Sequence, residues 1–234
     1  MLICGLQKTT LLDFPGHVAA TVFLGGCNFR CPYCHNGELV LKVREFPAIP
    51  EEEVLAFLKK RKGILEGVCI TGGEPTLQGD LEDFIREIRE IGYLIKLDTN
   101  GYRPEVLRSL LEKGLLDYVA MDVKAARENY SVVTGVSQID LTKIDESISL
   151  LISQERIDYE FRTTVVKGLH SLEEFDGIGK WLQGAKQLYL QSFRENENRL
   201  DPTAKLDSFS AQELENMAEK ARNYIARVEV RGVE

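Results

Sequence analysis

The sequence has no long hydrophobic run and no excess of basic residues. Its apolar stretches fall well short of the roughly 20 residues that a membrane-spanning helix needs, so we do not expect a membrane protein. The 37 acidic residues outnumber the 29 basic ones, and the formal net charge is -8. Without a basic surplus to neutralise phosphates, nucleic acid is not expected as a partner. These absences favour a soluble protein that acts on a protein or a small molecule.

The sequence also lacks the Pro-, Gly- or Ser-rich stretches that join separate domains. Folds of the α/β class commonly reach about 200 to 250 residues without dividing, so we expect one domain over residues 1–234. No charged, apolar and small-residue progression resembles a secretory signal, and Cys4 lies too near the start to leave room for one. We therefore expect a cytoplasmic protein, in a compartment that keeps thiols reduced.

Short apolar segments alternate with amphipathic segments along most of the chain. The pattern predicts strands at residues 18–24, 68–71, 93–97, 118–123, 159–166 and 187–190, with a further one possible at 227–230. It predicts helices from residue 51 for about three turns and at 81–91, 104–112, 141–153, 172–182 and 211–224. Strands and helices that alternate in this way form a parallel sheet through right-handed crossovers. The expected fold class is therefore α/β.

The loops that follow parallel strands share one edge of the sheet, and ligands bind at that edge. Four such loops contain residues that can bind a ligand or take part in a reaction. They are the cysteine-containing loop after residue 24, Gly72-Gly73-Glu74-Pro75, Asp98-Thr99-Asn100-Gly101, and the segment from Asp122 to Lys124. We expect these loops to meet and form the ligand site.

Three cysteines stand within eight residues, in the segment Cys27-Asn28-Phe29-Arg30-Cys31-Pro32-Tyr33-Cys34. In a reducing compartment, such a group indicates a metal site more than disulfides. Three thiolates on one loop could wrap around a compact iron–sulfur cluster, and a cubane short of one cysteine has an iron free to bind a small molecule. The missing fourth cysteine therefore favours chemistry at the cluster over electron transfer alone.

Two other kinds of site remain open at this point. An electron-transfer cluster of the ferredoxin kind would need a fourth cysteine ligand nearby. Cys69 falls on a predicted buried strand, and Cys4 lies before the first predicted strand, so neither continues the spacing. A structural zinc site usually has four ligands, and His35 directly follows Cys34, which strains tetrahedral chelation. We interpret Cys4 and Cys69 as packing residues, since free cysteine behaves as a small hydrophobe.

The CxxxCxxC spacing, followed by the Gly72–Pro75 loop, resembles the radical S-adenosylmethionine (SAM) superfamily. The stretch from Leu12-Asp13-Phe14-Pro15-Gly16 through Cys34-His35-Asn36 is similar to its glycyl-radical activating enzymes, and in particular to the activating proteins of anaerobic ribonucleoside-triphosphate reductases. The resemblance extends from about Leu6 to the region of Gln191. It implies the radical SAM fold, a partial (β/α)6 TIM-like barrel around a parallel sheet.

The resemblance also implies the cofactors and their ligands. Cys27, Cys31 and Cys34 would bind a [4Fe-4S] cluster, whose open iron would take the amino and carboxylate groups of SAM. Tyr33 would lie beside the adenine, and the loop of Gly72, Gly73 and Glu74 would meet the methionyl amino group. The cofactor-binding residues implied so far are Tyr33, Gly72, Gly73 and Glu74. Without the cysteines, the Gly-Gly-Glu-Pro sequence would indicate only a turn.

Four charged residues on later strands complete the expected SAM site. Asp98 ends a strand, where a carboxylate can bind ribose hydroxyls, methionyl groups or a cation. Asp122 and Lys124 alternate along the next strand and point to one face, although they could simply pair with each other. Arg162 matches a strand arginine that grips the SAM carboxylate, and its alternative is an ion pair at the barrel rim. His170 and Gln191 are weaker candidates, and no role is derived for His17 or His35.

The activity implied by the resemblance is reductive cleavage of SAM to a 5′-deoxyadenosyl radical, which takes a hydrogen atom from a glycine of a partner enzyme. The implied partners are a glycyl-radical enzyme, in particular anaerobic ribonucleotide reductase, and a low-potential electron donor such as flavodoxin or ferredoxin. A radical SAM enzyme that acts on a small molecule or a peptide could keep the same loops. An electron-transfer or zinc-binding protein is the alternative from outside the family.

Overall fold

The computed structural model describes residues 1–43, 45, 47–196 and 198–233. Within them, eight strands form one sheet: β1 (Ile3–Thr10), β2 (Ala19–Leu24), β3 (Gly67–Gly72), β4 (Leu94–Thr99), β5 (Tyr118–Asp122), β6 (Asp158–Val165), β7 (Gln187–Ser192) and β8 (Arg227–Arg231). The helices are α1 (Gly37–Leu41), α2 (Glu51–Arg61), α3 (Leu81–Ile91), α4 (Pro104–Glu112), α5 (Tyr130–Thr134), α6 (Leu141–Ser153), α7 (Glu174–Trp181) and α8 (Ala211–Arg222).

The order of the strands in the sheet is their order along the chain. Strands β2 to β8 are parallel to their neighbours, and β1 is antiparallel to β2. Strands β1 and β8 are the two edges, so the described sheet is a curved, open barrel and not a closed one. The predicted α/β fold, with its parallel sheet and partial barrel, is confirmed.

The edge strand β1 is the main element that the sequence pattern did not predict. Its sequence, Ile-Cys-Gly-Leu-Gln-Lys-Thr-Thr, has neither a continuous apolar run nor a clean alternation, because only its two ends are fully buried. It pairs with β2 through irregular register, with shifts between Ile3 and Gly5 and between Gln7 and Thr10. The short helices α1 and α5, five residues each, were also not predicted.

The helices pack against the outer, apolar face of the sheet. In α3 the buried residues recur at helical spacing, which gives one apolar stripe toward the sheet: Leu81, Phe84, Ile85, Ile88 and Ile91. Gly92 ends α3 in the left-handed conformation, at φ 108°, where a glycine is favoured. None of the described helices is long and apolar enough to cross a membrane.

The inner face of the sheet is more polar. It contains Lys96 and Glu160, both buried. Tyr118 on β5 donates to the Glu160 carboxylate at 2.9 Å, and the Arg231 guanidinium on β8 lies 3.2 Å from the centre of the Tyr189 ring. Buried charges of this kind need partners within the protein. The pairing of these charges fixes the positions of the side chains at the site above them.

Candidate functional site

A cavity of about 240 Å³ opens at the carboxyl ends of the strands. It brings together residues from the loops after β2, β3, β4 and β5 and from strand β6. Of the site residues that the sequence predicts, Glu74 and the weaker candidate His170 do not line it, and the others do: Cys27, Cys31, Tyr33, Cys34, Gly72, Gly73, Asp98, Asp122, Lys124, Arg162 and the weaker candidate Gln191. The loops therefore meet at one edge, as the alternation of strands and helices predicts.

The cysteine loop leaves β2 through Gly26, whose φ of 88° is favourable for glycine. Its backbone is tied to α5, since the Arg30 N–H donates to the Thr134 carbonyl at 2.8 Å. The Arg30 guanidinium folds back to the Cys27 carbonyl at 2.6 Å. These bonds fix the direction of the loop, with all three cysteines facing the cavity.

A distant segment of the chain closes the other side of the cysteine loop. The Leu200 N–H donates to the Cys34 carbonyl and the Asp201 N–H to the Pro32 carbonyl, both at 3.0 Å. His35 Nε2 lies 2.8 Å from the Arg194 carbonyl. Backbone groups of Arg194, Leu200 and Asp201 thus supply partners for a loop that lies far earlier in the sequence.

Burial disfavours the thiolate form of the three cysteines. It raises the pKa of Cys27 to about 11 and that of Cys31 to about 12, while Lys124 acts in the opposite direction on both. Metal coordination deprotonates such thiols. Among the described residues, no three His, Cys, Asp or Glu side chains are grouped as ligands of a single metal ion. A [4Fe-4S] cluster needs no such grouping, because each of its ligating cysteines would bind a different iron.

Two buried polar atoms near the cysteines have no hydrogen-bond partner among the described residues. They are the Tyr33 hydroxyl and Asn28 Nδ2. Buried polar groups are normally satisfied, so an unpaired one needs an explanation such as a missing ligand. Tyr33 lines the cavity, so its hydroxyl fits a site built to hold a further polar group, whereas Asn28 does not line it.

Glycines 72 and 73 let two loops approach each other closely. The Gly73 N–H donates to the Leu24 carbonyl at 2.8 Å, and a Cβ at Gly73 would lie 1.9 Å from the Gly26 carbonyl oxygen. A Cβ at Gly72 would meet the Leu24 backbone at 2.3 Å. The space that a side chain would fill is therefore taken by the loop after β2. Both glycines still line the cavity, and their contact with a cofactor stays a prediction.

Glu74 lies behind the cavity wall and is almost completely buried. One carboxylate oxygen accepts from the Thr99 hydroxyl at 2.7 Å, and the other from the Asn100 N–H at 2.6 Å. The Thr76 N–H adds a third bond at 3.1 Å. Burial raises the pKa of Glu74, although these hydrogen bonds oppose it. In this structure Glu74 joins the loops after β3 and β4, and its predicted contact with SAM stays untested.

The floor of the cavity is a chain of five charges. Asp98 pairs with Lys96 and, at 3.3 Å, with Arg162. Arg162 pairs in turn with Asp122 at 2.9 Å, and Asp122 with Lys124 at 2.9 Å. The three cations and two carboxylates leave one surplus positive charge. We name this group, Lys96–Asp98–Arg162–Asp122–Lys124, the charged floor.

The register of the sheet explains how the charged floor spans three strands. Arg162 on β6 lies beside Asp122 on β5, while Asp98 on β4 lies beside Ala120. Because the alanine side chain is small, the guanidinium can reach past β5 to Asp98. The sequence alternative of an Arg162 ion pair with Glu160 or Asp158 is not found among the described ion pairs.

The two carboxylates of the charged floor are held ionised. Burial alone would raise the pKa of Asp122, but Arg162 and Lys124 outweigh it and lower that pKa to about 2. For Asp98, burial is likewise outweighed by Arg162 and Lys96, so its pKa lies below the usual range. The same pairs keep Lys124 and Arg162 charged, with pKa values well above their ordinary ones. The floor can therefore offer fixed cations to an anionic ligand group.

Sequence reasoning missed Lys96 and named His170 only as a weaker candidate, although both shape the site. Lys96 interrupts an otherwise apolar strand two residues before Asp98, a pattern that could have been noticed. His170 Nε2 donates to the Lys124 carbonyl at 2.8 Å, and its Nδ1 accepts from the Val166 N–H at 3.1 Å. His170 thus positions the end of β5. Cys69 is fully buried on β3 and does not line the cavity.

Comparison with known proteins gives a consistent result. The family model described as the Radical SAM superfamily matches residues 21–182. A protein of Methanocaldococcus jannaschii named "Putative glycyl-radical enzyme activating enzyme" is 31% identical over 239 residues, which cover 99% of this chain and 96% of that protein. A 7-carboxy-7-deazaguanine synthase of Methanopyrus kandleri is 29% identical, with 80% of this chain and 78% of that protein covered.

A solved structure with a similar fold is that of Streptococcus suis SuiB bound to S-adenosylmethionine. It superposes with a TM-score of 0.67 at 14% identity, covering 88% of this chain and 48% of that one. At this identity the likeness concerns the fold alone.

Proposed function

The chain belongs to the radical SAM superfamily, and we propose that it is the activating enzyme of a glycyl-radical enzyme. As a radical SAM enzyme it uses a [4Fe-4S] cluster and SAM. The observation that supports the finer proposal is the likeness to the M. jannaschii protein, which extends over nearly the full length of both chains. We propose anaerobic ribonucleotide reductase as the partner on the resemblance of the Leu12–Asn36 stretch.

We propose that the three cysteines hold the cluster and that the charged floor and Tyr33 hold SAM. When bound, the reduced cluster would supply the one electron for cleavage of SAM between its sulfur and C5′, which gives methionine and a radical able to take a hydrogen atom from a glycine Cα. The products are 5′-deoxyadenosine and a glycyl radical on the partner.

The residues of this chain bind and orient the cofactor in that reaction. Lys124 and Arg162 present cationic donors to the SAM carboxylate, and the floor's surplus positive charge favours an anionic group. Asp98 and Asp122 hold these cations in place through hydrogen-bonded ion pairs. Tyr33, with its unpartnered hydroxyl in the cavity wall, lies where a purine ring and its polar edge could be bound.

The open sheet supports a protein substrate. Strands β1 and β8 do not pair with each other in the described sheet, so the barrel is open on one side. A loop that carries a glycine needs such an entrance, because its Cα must come close to the site of SAM cleavage. We also propose that residues 1–234 form one cytoplasmic domain that receives its electron from a flavodoxin or ferredoxin.

The test uses the anaerobically reconstituted protein, a reductant, SAM and a candidate anaerobic ribonucleotide reductase. The expected result is a glycyl doublet in the EPR spectrum and 5′-deoxyadenosine in equal amount. With a partner labelled with deuterium at glycine Cα, the 5′-deoxyadenosine should carry deuterium. The matched control is a partner whose radical glycine is replaced by alanine. Formation of 5′-deoxyadenosine without a glycyl doublet would overturn the activase proposal and leave the family assignment in place.

A radical SAM enzyme with a small-molecule substrate is the second candidate. The likeness to 7-carboxy-7-deazaguanine synthase favours it, since that enzyme too aligns with most of this chain. The same assay with small heterocyclic molecules related to deazaguanine in place of the protein partner distinguishes the two. Substrate-dependent 5′-deoxyadenosine formation with a small molecule, and none with a glycyl-radical enzyme, would favour this alternative.

A further inference from the structure

Lys96 is a buried lysine beneath the cavity whose role the proposed chemistry does not explain. It is 1% exposed, on the inner face of β4, two residues before Asp98. Its register neighbours are Cys69 on β3 and Tyr118 on β5. Lys96 does not line the cavity, so it is placed to act on the residues above it.

The surroundings of the Lys96 ammonium contain one carboxylate in direct contact. Its described ion pair is with Asp98 Oδ1. The Cys69 sulfur lies 3.8 Å away and the centre of the Tyr118 ring 5.9 Å away, and both are uncharged neighbours. Burying an unpaired ammonium costs several kcal/mol, so a lysine at this depth requires the Asp98 carboxylate.

Asp98 depends equally on Lys96. The carboxylate has Lys96 on one oxygen and Arg162 on the other. Asp122 is likewise shared, between Arg162 and Lys124. Without Lys96, Asp98 would keep only Arg162, which it shares with Asp122, and its inner oxygen would lack a partner.

We propose that Lys96 is a built-in counter-ion: a positioning residue that neutralises Asp98 from below, holds Arg162 between the two carboxylates, and takes the place that a small monovalent cation could otherwise occupy. SAM binding should therefore not depend on the alkali-metal ion in solution. The inference rests on the proposed SAM site but not on the identity of the partner enzyme.

The first test uses the unaltered protein. SAM affinity of the reconstituted enzyme is measured by equilibrium binding in tetramethylammonium chloride and then in potassium, sodium or ammonium chloride of equal ionic strength. Tetramethylammonium is the reference because it has no N–H donor and its methyl groups keep its charge farther from a carboxylate than that of the small ions. We expect the dissociation constants to agree within about twofold, because the counter-ion is part of the chain. A marked requirement for a small cation in the unaltered protein would overturn the proposal.

The second test removes the ammonium and keeps the length of the side chain. In Lys96→Met, SAM affinity in tetramethylammonium chloride should fall by about tenfold or more, since Asp98 is left without its inner partner. Replacing tetramethylammonium by ammonium, potassium or sodium should raise the SAM affinity of the variant several-fold. The same ions should raise the melting temperature of the cluster-free Lys96→Met protein more than that of the unaltered protein. Unchanged SAM affinity in tetramethylammonium chloride would contradict the role.

The matched control removes both charges of the pair. In Lys96→Met with Asp98→Asn, no carboxylate remains for a small cation to neutralise, so the melting temperature of the cluster-free protein should not depend on which cation is present. A purely structural role for Lys96 predicts equal loss of stability in all salts. These melting measurements do not involve SAM cleavage, so their failure is distinguishable from failure of the proposed reaction.

Discussion

The cysteine loop and the charged floor face each other across one cavity, but they are built in different ways. The cysteine loop has its three proposed ligands within eight consecutive residues, Cys27 to Cys34. The charged floor takes four charges from three strands and the fifth, Lys124, from the loop after β5, and Asp98 and Arg162 are 64 residues apart. The loop is specified by local spacing, whereas the floor exists only when the register of β4, β5 and β6 is formed. Substitutions in the cysteine loop should therefore act mainly on the cluster, and substitutions in the charged floor mainly on stability.

The largest expected effect is on the cluster. Cys31→Ala should lose the intact [4Fe-4S] cluster, because each of the three cysteines binds a different iron. Iron and sulfide analysis after anaerobic reconstitution measures this. Cys69→Ala is the control, since Cys69 is buried outside the cavity; it should keep the cluster and lose about 1 to 3 kcal/mol of stability at most. Equal iron content in the two variants would contradict the assignment of the ligands.

The next effect separates the floor from the loop. Arg162→Met removes a charged hydrogen-bond partner from each of two partly buried carboxylates, so the cluster-free protein should lose about 3 kcal/mol of unfolding free energy. Its iron content after reconstitution should stay close to that of the unaltered protein. Urea unfolding and iron analysis give the two readouts. Arg108→Met, which breaks the exposed pair with Glu146, is the control and should change stability by no more than about 0.5 kcal/mol. Loss of iron in Arg162→Met with little loss of stability would contradict this separation between the charged floor and the cysteine loop.

The contact between the cysteine loop and the loop after β3 gives a smaller effect. Gly73→Ala would place a Cβ 1.9 Å from the Gly26 carbonyl oxygen, so backbone must move. We expect a loss of about 2 kcal/mol in unfolding free energy, with partial loss of iron. Gly79→Ala is the matched control, since no atom lies within 4 Å of its added Cβ. Equal stability of the two variants would contradict the close approach of the two loops at Gly73.

The smallest effect depends on pH and involves the support of the floor. Burial lowers the pKa of His170, so the native protein resists a proton that the unfolded chain accepts near pH 6.5. The stability contributed by neutral His170 is complete above that pH and declines as pH falls toward the lower native pKa. Between pH 7.5 and pH 5 the unaltered protein loses the contribution of neutral His170, and His170→Gln does not. The unfolding free energy of the variant should therefore fall by about 1 kcal/mol less over this range. Identical losses in both proteins would contradict a buried neutral histidine.

The same contrast explains what sequence alone could predict. The parallel strands, the cysteine ligands and the meeting of four loops follow from short-range patterns, and these predictions of fold and cofactors are supported by the family match. The strand β1 was missed because half-buried edge residues lack periodicity. The position of Glu74 behind the wall and the pairing of Lys96 with Asp98 depend on which strands are neighbours. Spacing along the chain does not contain that information.

The hydrogen bonds from residues 200 and 201 to the cysteine loop have a consequence for biosynthesis. The ribosome releases Cys27, Cys31 and Cys34 long before Leu200, so the nascent cysteine loop has no partner for its Pro32 and Cys34 carbonyls. We expect iron–sulfur assembly to follow completion of the chain and not to accompany synthesis of its first quarter. A fragment that ends before residue 194 should accordingly take up less cluster than the whole protein during reconstitution.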